Sequence, residues 1–84
     1  MSTLAIEVNP LAEKVDYTED ELIVTLVDGR KVSVPLAWYP KLTNATQKQL
    51  SNWEILGEGQ GIHWPDIDED LSVSGILKGT HFDG

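Results

Sequence analysis

The sequence predicts a two-layer α+β domain: an antiparallel three-stranded meander, then a short helix, two short strands or extended arms and a short C-terminal helix. Three observations carry that expectation. Apolar residues alternate on both sides of Asp28-Gly29, a Thr-x-x-Gln capping box opens at Thr46, and a glycine run at residues 57–61 separates two short apolar segments.

The meander comes first. Leu22, Val24 and Leu26 alternate with Ile23, Thr25 and Val27, and after the turn Val32 and Val34 alternate with Lys31 and Ser33. A two-residue Asp-Gly loop would pair Leu26 with Lys31 and Val24 with Ser33, mixing the faces. A three-residue loop, Val27-Asp28-Gly29, with Gly29 left-handed, pairs Val24 with Val32 and Leu22 with Val34 and keeps one apolar face, so this register is expected. Upstream, Lys14-Val15-Asp16-Tyr17 alternates and Thr18-Glu19-Asp20 offers a turn, which places three strands over about residues 12–35.

Pro35 closes the third strand because it has no amide hydrogen to give to a ladder. Leu36-Ala37-Trp38-Tyr39 then reads as one helical turn stopped by Pro40. Thr46 caps the next helix, expected over about residues 47–54, with Leu50 and Trp53 on its buried face. Ile55-Leu56 and Ile62-His63-Trp64 flank Gly57-Glu58-Gly59-Gln60-Gly61 as short strands or extended arms. Ser72 is placed to cap a final helix over about residues 73–78, with acids before its positive end, Lys78 near its negative end and Gly79 as its stop. Gly75 inside that segment weakens it by about 1 kcal/mol relative to alanine.

The 84 residues fit one domain, spanning 1–84 with an ordered core over about 12–79. A chain of this size buries only about 60–65% of the surface its unfolded form exposes, so its core is thin. There is no cysteine to add a disulfide or a thiolate metal site. The first residues lack a basic n-region and a long apolar h-region, and no apolar run approaches the roughly 20 residues that cross a bilayer. The expectation is a cytoplasmic protein with no membrane contact.

Fourteen acids against six bases give a formal net charge of −8. Between Lys48 and Lys78 there is no lysine or arginine, while Glu54, Glu58, Asp66, Asp68, Glu69 and Asp70 fall there. Such a surface repels phosphates and anionic lipids and favours basic proteins. Direct nucleic-acid binding is therefore not expected.

Four places carry the residue types of chemistry. The glycine run resembles a phosphate loop, but Ile62-His63-Trp64-Pro65 follows it where a helix must begin, and Glu58 sits inside it, so it reads as a plain turn. Asp66-x-Asp68-x-Asp70 has the opening spacing of a calcium loop, yet Leu71 stands where glycine is needed and Leu77 where a bidentate glutamate is needed. That leaves Asp66, Asp68 and Asp70 as a weak, partly hydrated divalent-cation candidate beside the plainer reading, a solvated acidic loop. His63 and His81 are the two histidines; Asp66 could orient His63, but no nucleophile is marked, so a structural histidine is expected rather than an enzyme, and no cofactor motif appears. Trp64 lies between a glycine loop and an acidic cluster, where a half-exposed indole would anchor a partner. His63, Trp64, Asp66, Asp68, Glu69 and Asp70 are accordingly the expected partner-binding set.

These segments resemble a family of short bacterial proteins, domain of unknown function 2442. The likeness runs through Asp28-Gly29-Arg30, the stretch from Val34 to Leu42, Ala45-Thr46 with Trp53, and above all Gly59-Gln60-Gly61-Ile62-His63-Trp64-Pro65-Asp66-Ile67-Asp68-Glu69-Asp70-Leu71-Ser72-Val73 followed by Gly75-Ile76-Leu77. It implies a small α+β fold and no established activity. It also implies relatives that carry a C-terminal helix-turn-helix domain and others that neighbour a second small protein in toxin–antitoxin-like pairs. In relatives a proline often follows the capping threonine, where this chain has Gln47. This chain ends at Gly84, so no DNA-reading domain of its own is expected. The functional expectation is an acidic protein-interaction module, the antitoxin-like or regulatory partner of a basic protein; the alternative is a small-molecule or weak divalent-metal sensor.

Overall fold

Alternation of apolar and polar residues sets the first layer. In a computed structural model, which describes residues 10–78, strands β1 (Ala12–Tyr17), β2 (Glu21–Leu26) and β3 (Lys31–Pro35) form an antiparallel sheet in the order β1-β2-β3. Leu22 faces Val34 and Val24 faces Val32. The hairpin is the three-residue form: Leu26 N–H donates to Arg30 O at 2.7 Å, and Gly29 has φ of 95°. That backbone is open to glycine at no steric cost, which is why the residue after Asp28 sets the register.

One irregularity was not legible beforehand. The β1–β2 register shifts between Ala12 and Lys14, so Ala12 faces Leu26 while Val15 faces Val24. This bulge brings Ala12 and Val15, three positions apart, onto one buried face.

Pro35 ends β3 and a 3-10 turn over Leu36–Trp38 follows, as expected. Pro40 halts that turn but also opens a helix α1 (Pro40–Thr43), since its fixed φ and missing N–H suit a first helical position. Leu42 from α1 is fully buried. Helix α2 (Gln47–Ser51) has the complete capping box: Thr46 Oγ1 accepts from Gln49 N–H at 3.1 Å and Gln49 Oε1 accepts from Thr46 N–H at 2.9 Å. It ends earlier than expected, so Trp53 packs on the core from the following segment and not from the helix.

The second sheet holds three strands, β4 (Glu54–Leu56), β5 (Gly61–Trp64) and β6 (Glu69–Ser72), in the order β4-β5-β6. The acidic stretch expected as a loop is therefore partly a strand. With Leu71 as its one apolar residue, β6 carries almost no hydrophobic signal, and its pairing with β5 decides it. Helix α3 (Val73–Lys78) follows, with Gly75 N–H donating to Ser72 Oγ at 3.0 Å. The expected stop at Gly79 lies outside the described residues.

Both sheets contribute to one buried cluster that runs from Leu22, Val24 and Leu26 to Ile62, Trp64, Val73 and Ile76. The glycine loop ties the layers: Ala12 N–H donates to Gly59 O at 2.8 Å and Val73 N–H to Gln60 O at 2.9 Å. Gly59, at φ 118°, sits so close that a Cβ there would lie 2.8 Å from Ala12 O. Among the described residues, no helix is long and apolar enough to cross a membrane.

Candidate functional site

Strand geometry divides the expected site residues between two faces. Successive side chains along β5 point opposite ways, so Ile62 and Trp64 share one side while Gly61 and His63 share the other. Ile62 and Trp64 are both 0% exposed and belong to the core. Trp64 is thus not the half-exposed anchor its neighbours suggested. Its indole N–H donates to Leu50 O at 3.1 Å, closing the end of α2 from inside. The ring supplies apolar volume to a thin core and finds its one polar partner there.

Glu69 pairs with Trp64 across β5 and β6 and is turned toward the same side, half-buried, with its Oε1 accepting from Asp70 N–H at 3.2 Å. Burial pushes the Tyr39 phenol above its usual range, and the charge of Glu69 adds to the shift. Trp64 and Glu69 therefore leave the outward set.

What remains outward is a row across the sheet. Glu54 of β4 faces His63, and His63 faces Asp70 of β6. Directly opposed residues hold their Cβ atoms about 4.5–5.5 Å apart, so the imidazole stands between two carboxylates. His63 Nδ1 donates to Asp70 Oδ1; the carboxylate can only accept, so it fixes the tautomer. The hydrogen bond to Asp70 holds the imidazole above its ordinary pKa. Partial burial opposes that, and the charges of Asp70, Glu54 and Asp68 reinforce it. The His63 side chain is 25% exposed and that of Asp70 66%, so the pair faces solvent. Leu56, exposed at 39%, faces Gly61 in the next row of this face.

Asp66 was expected to orient His63, and Asp70 does so instead. Asp66 accepts from Asn52 Nδ2 at 3.2 Å. Asp68, at φ 55°, makes the turn into β6, a left-handed position that aspartate tolerates, and its carbonyl accepts from Lys41 Nζ at 3.1 Å. Of the three carboxylates in the cation candidate Asp66, Asp68 and Asp70, two are turned to Asn52 and His63, and among the described residues no three histidine or carboxylate groups gather as metal ligands. His81 lies outside the described residues.

Glu54 is the member of the row that sequence reasoning missed. The signal was present, because antiparallel pairing of 54–56 with 61–63 across the glycine loop sets Glu54 opposite His63.

Comparison with known proteins gives a family and no activity. None of the curated proteins matches the chain. A crystal structure of a protein of unknown function from Rhodospirillum rubrum is similar at 36% identity and a TM-score of 0.75, over 88% of this chain and 92% of that one. A solution structure of an uncharacterised protein from Chromobacterium violaceum is similar at 25% identity and a TM-score of 0.74, over 88% of this chain and 70% of that one. A family model described as protein of unknown function (DUF2442) matches residues 12–82, and the chain belongs to that family.

Proposed function

We propose that this domain is a cytoplasmic protein-interaction module that presents the outward side of its second sheet to a basic partner, in the manner of an antitoxin or regulatory subunit. The observation that carries this reading is the row Glu54–His63–Asp70, solvent-facing and set in a stretch without lysine or arginine from residue 49 to 77. Opposed carboxylates on a flat strand surface attract lysine and arginine, steer encounter at long range and discriminate against acidic partners. Leu56 adds an apolar contact at the edge of the same face. The role proposed for His63 is binding: Asp70 holds its ring in place through Nδ1, and among the described residues no serine or threonine hydroxyl is hydrogen-bonded to that ring.

The test is co-expression with the basic product of a neighbouring gene, followed by size-exclusion chromatography at low salt. Co-elution is expected, and the Glu54→Gln/Asp70→Asn double variant should weaken the complex by about 1–2 kcal/mol, mostly through slower association. Separate elution at low salt, where charge attraction is strongest, contradicts the reading.

A further inference from the structure

A groove lies away from the outward row, between the β1–β2 turn and the helices. It encloses about 290 Å³. Its lining is mixed: Leu36, Ala45 and Leu50 give it apolar surface, and Tyr17, Thr43 and Gln47 line it beside them. Glu19 is exposed at its rim.

Both walls are held in place before anything binds. The Tyr17 hydroxyl donates to Gln47 O at 3.1 Å and lies 2.9 Å from Ser51 Oγ, locking β1 against α2. Thr43 Oγ1 donates to Leu36 O at 2.6 Å. Thr18 Oγ1 accepts from the N–H groups of Asp20 and Glu21, which fixes the turn that carries Glu19. A preformed concavity binds with less ordering cost than a flexible one.

Charge sets the occupant. Glu19, Asp20 and Glu21 are consecutive and exposed, none of the three has an ion-pair partner among the described residues, and no lysine or arginine lines the groove. Apolar surface beside the Glu19 carboxylate matches a side chain that is methylene along its length and cationic at its tip. The Tyr17 ring adds an aromatic surface of the kind that guanidinium groups favour.

We propose that this groove receives an arginine side chain of the basic partner, its stem over Leu36, Ala45 and Leu50 and its guanidinium on Glu19. The inference rests on the reading that the partner is a basic protein and adds an anchor point distinct from the Glu54–His63–Asp70 row.

The experiment is an amide-shift titration of the isotope-labelled full chain with a blocked glycine–arginine–glycine peptide amide, with the norleucine counterpart as an uncharged control. Saturable shifts at Thr18, Glu19, Thr43, Ala45 and Gln47 are expected, about two- to fivefold weaker in the Glu19→Gln variant and weaker again with norleucine. Shifts confined to Glu54, His63 and Asp70 overturn the groove and leave the basic-partner reading standing. Equal response to the arginine and norleucine peptides also overturns the assignment, because the Glu19 carboxylate then contributes nothing. Absence of saturable shifts anywhere overturns the groove, while co-elution with the neighbouring gene's product decides the broader reading by itself.

Discussion

At the residue scale, Trp64 and His63 are adjacent in sequence and opposite in role. Trp64 is core: replacing it with alanine should remove about 3–5 kcal/mol, a large share of what a domain this small has, and Trp64→Phe about 1–3 kcal/mol, because Leu50 O then loses its buried donor. Urea denaturation measures both. Trp64→Phe should lower the midpoint and leave partner affinity unchanged, whereas a loss of affinity with unchanged stability would return the ring to the surface. His63 responds to pH. Its folded pKa is raised above the unfolded value of about 6.5, so its pairing with Asp70 stabilises the fold fully below about pH 6.5 and is lost as pH rises through the folded value. The gap in urea midpoint between the wild-type protein and Asp70→Asn should therefore shrink as pH is raised from about 6 to 9. The same titration removes a positive charge from the outward row, so a basic partner should bind more tightly at the upper end of that range; isothermal titration at several pH values checks it.

At the scale of elements, the legible parts of the fold were those whose signal is local. The Asp28-Gly29 hairpin and the Thr46 capping box depend on turn and cap chemistry within a few residues, and both have the expected geometry. Strand β6 and the bulge in β1 depend on tertiary pairing, and neither leaves a mark in the residues themselves. The candidate site divided along the same line. The acidic stretch was visible, but the inward turn of Trp64 and Glu69 and the alignment of Glu54 with His63 follow from β5 register, which the glycine loop sets from outside the site. Two glycines separate the local from the tertiary by experiment. Gly29→Ala meets open space and only backbone strain, and should cost about 1 kcal/mol; Gly59→Ala meets the same strain and also Ala12, and should cost clearly more. Thr46→Ala should cost about 1 kcal/mol through the lost cap. Thermal or urea melts rank the three, and a Gly59→Ala protein as stable as Gly29→Ala would mean that the loop does not join the layers as described.

At the scale of the whole molecule, the two sheets share one core, yet the charge is uneven between them. Of the three ion pairs among the described residues, Lys14 with Asp16 sits in the first sheet, Arg30 with Asp28 in its β2–β3 turn, and His63 with Asp70 in the second sheet. The first sheet and its turns carry Lys14, Arg30 and Lys31 among their acids, whereas the second has no lysine or arginine. A net charge of −8 on a thin core should leave the fold more stable at moderate salt than at very low salt, because screening relieves self-repulsion, while the complex with a basic partner should weaken over the same range. Opposite salt slopes for folding and binding would show that the acidity serves association at a cost to stability. The most direct measurement is a footprint of the complex by amide hydrogen exchange and chemical-shift mapping on the full chain. Protection and shifts at Glu54, His63 and Asp70, with the Thr18–Glu19 turn as a second locus, are the predicted result; a footprint on β3, with that row unaffected, would contradict the assignment of the binding face.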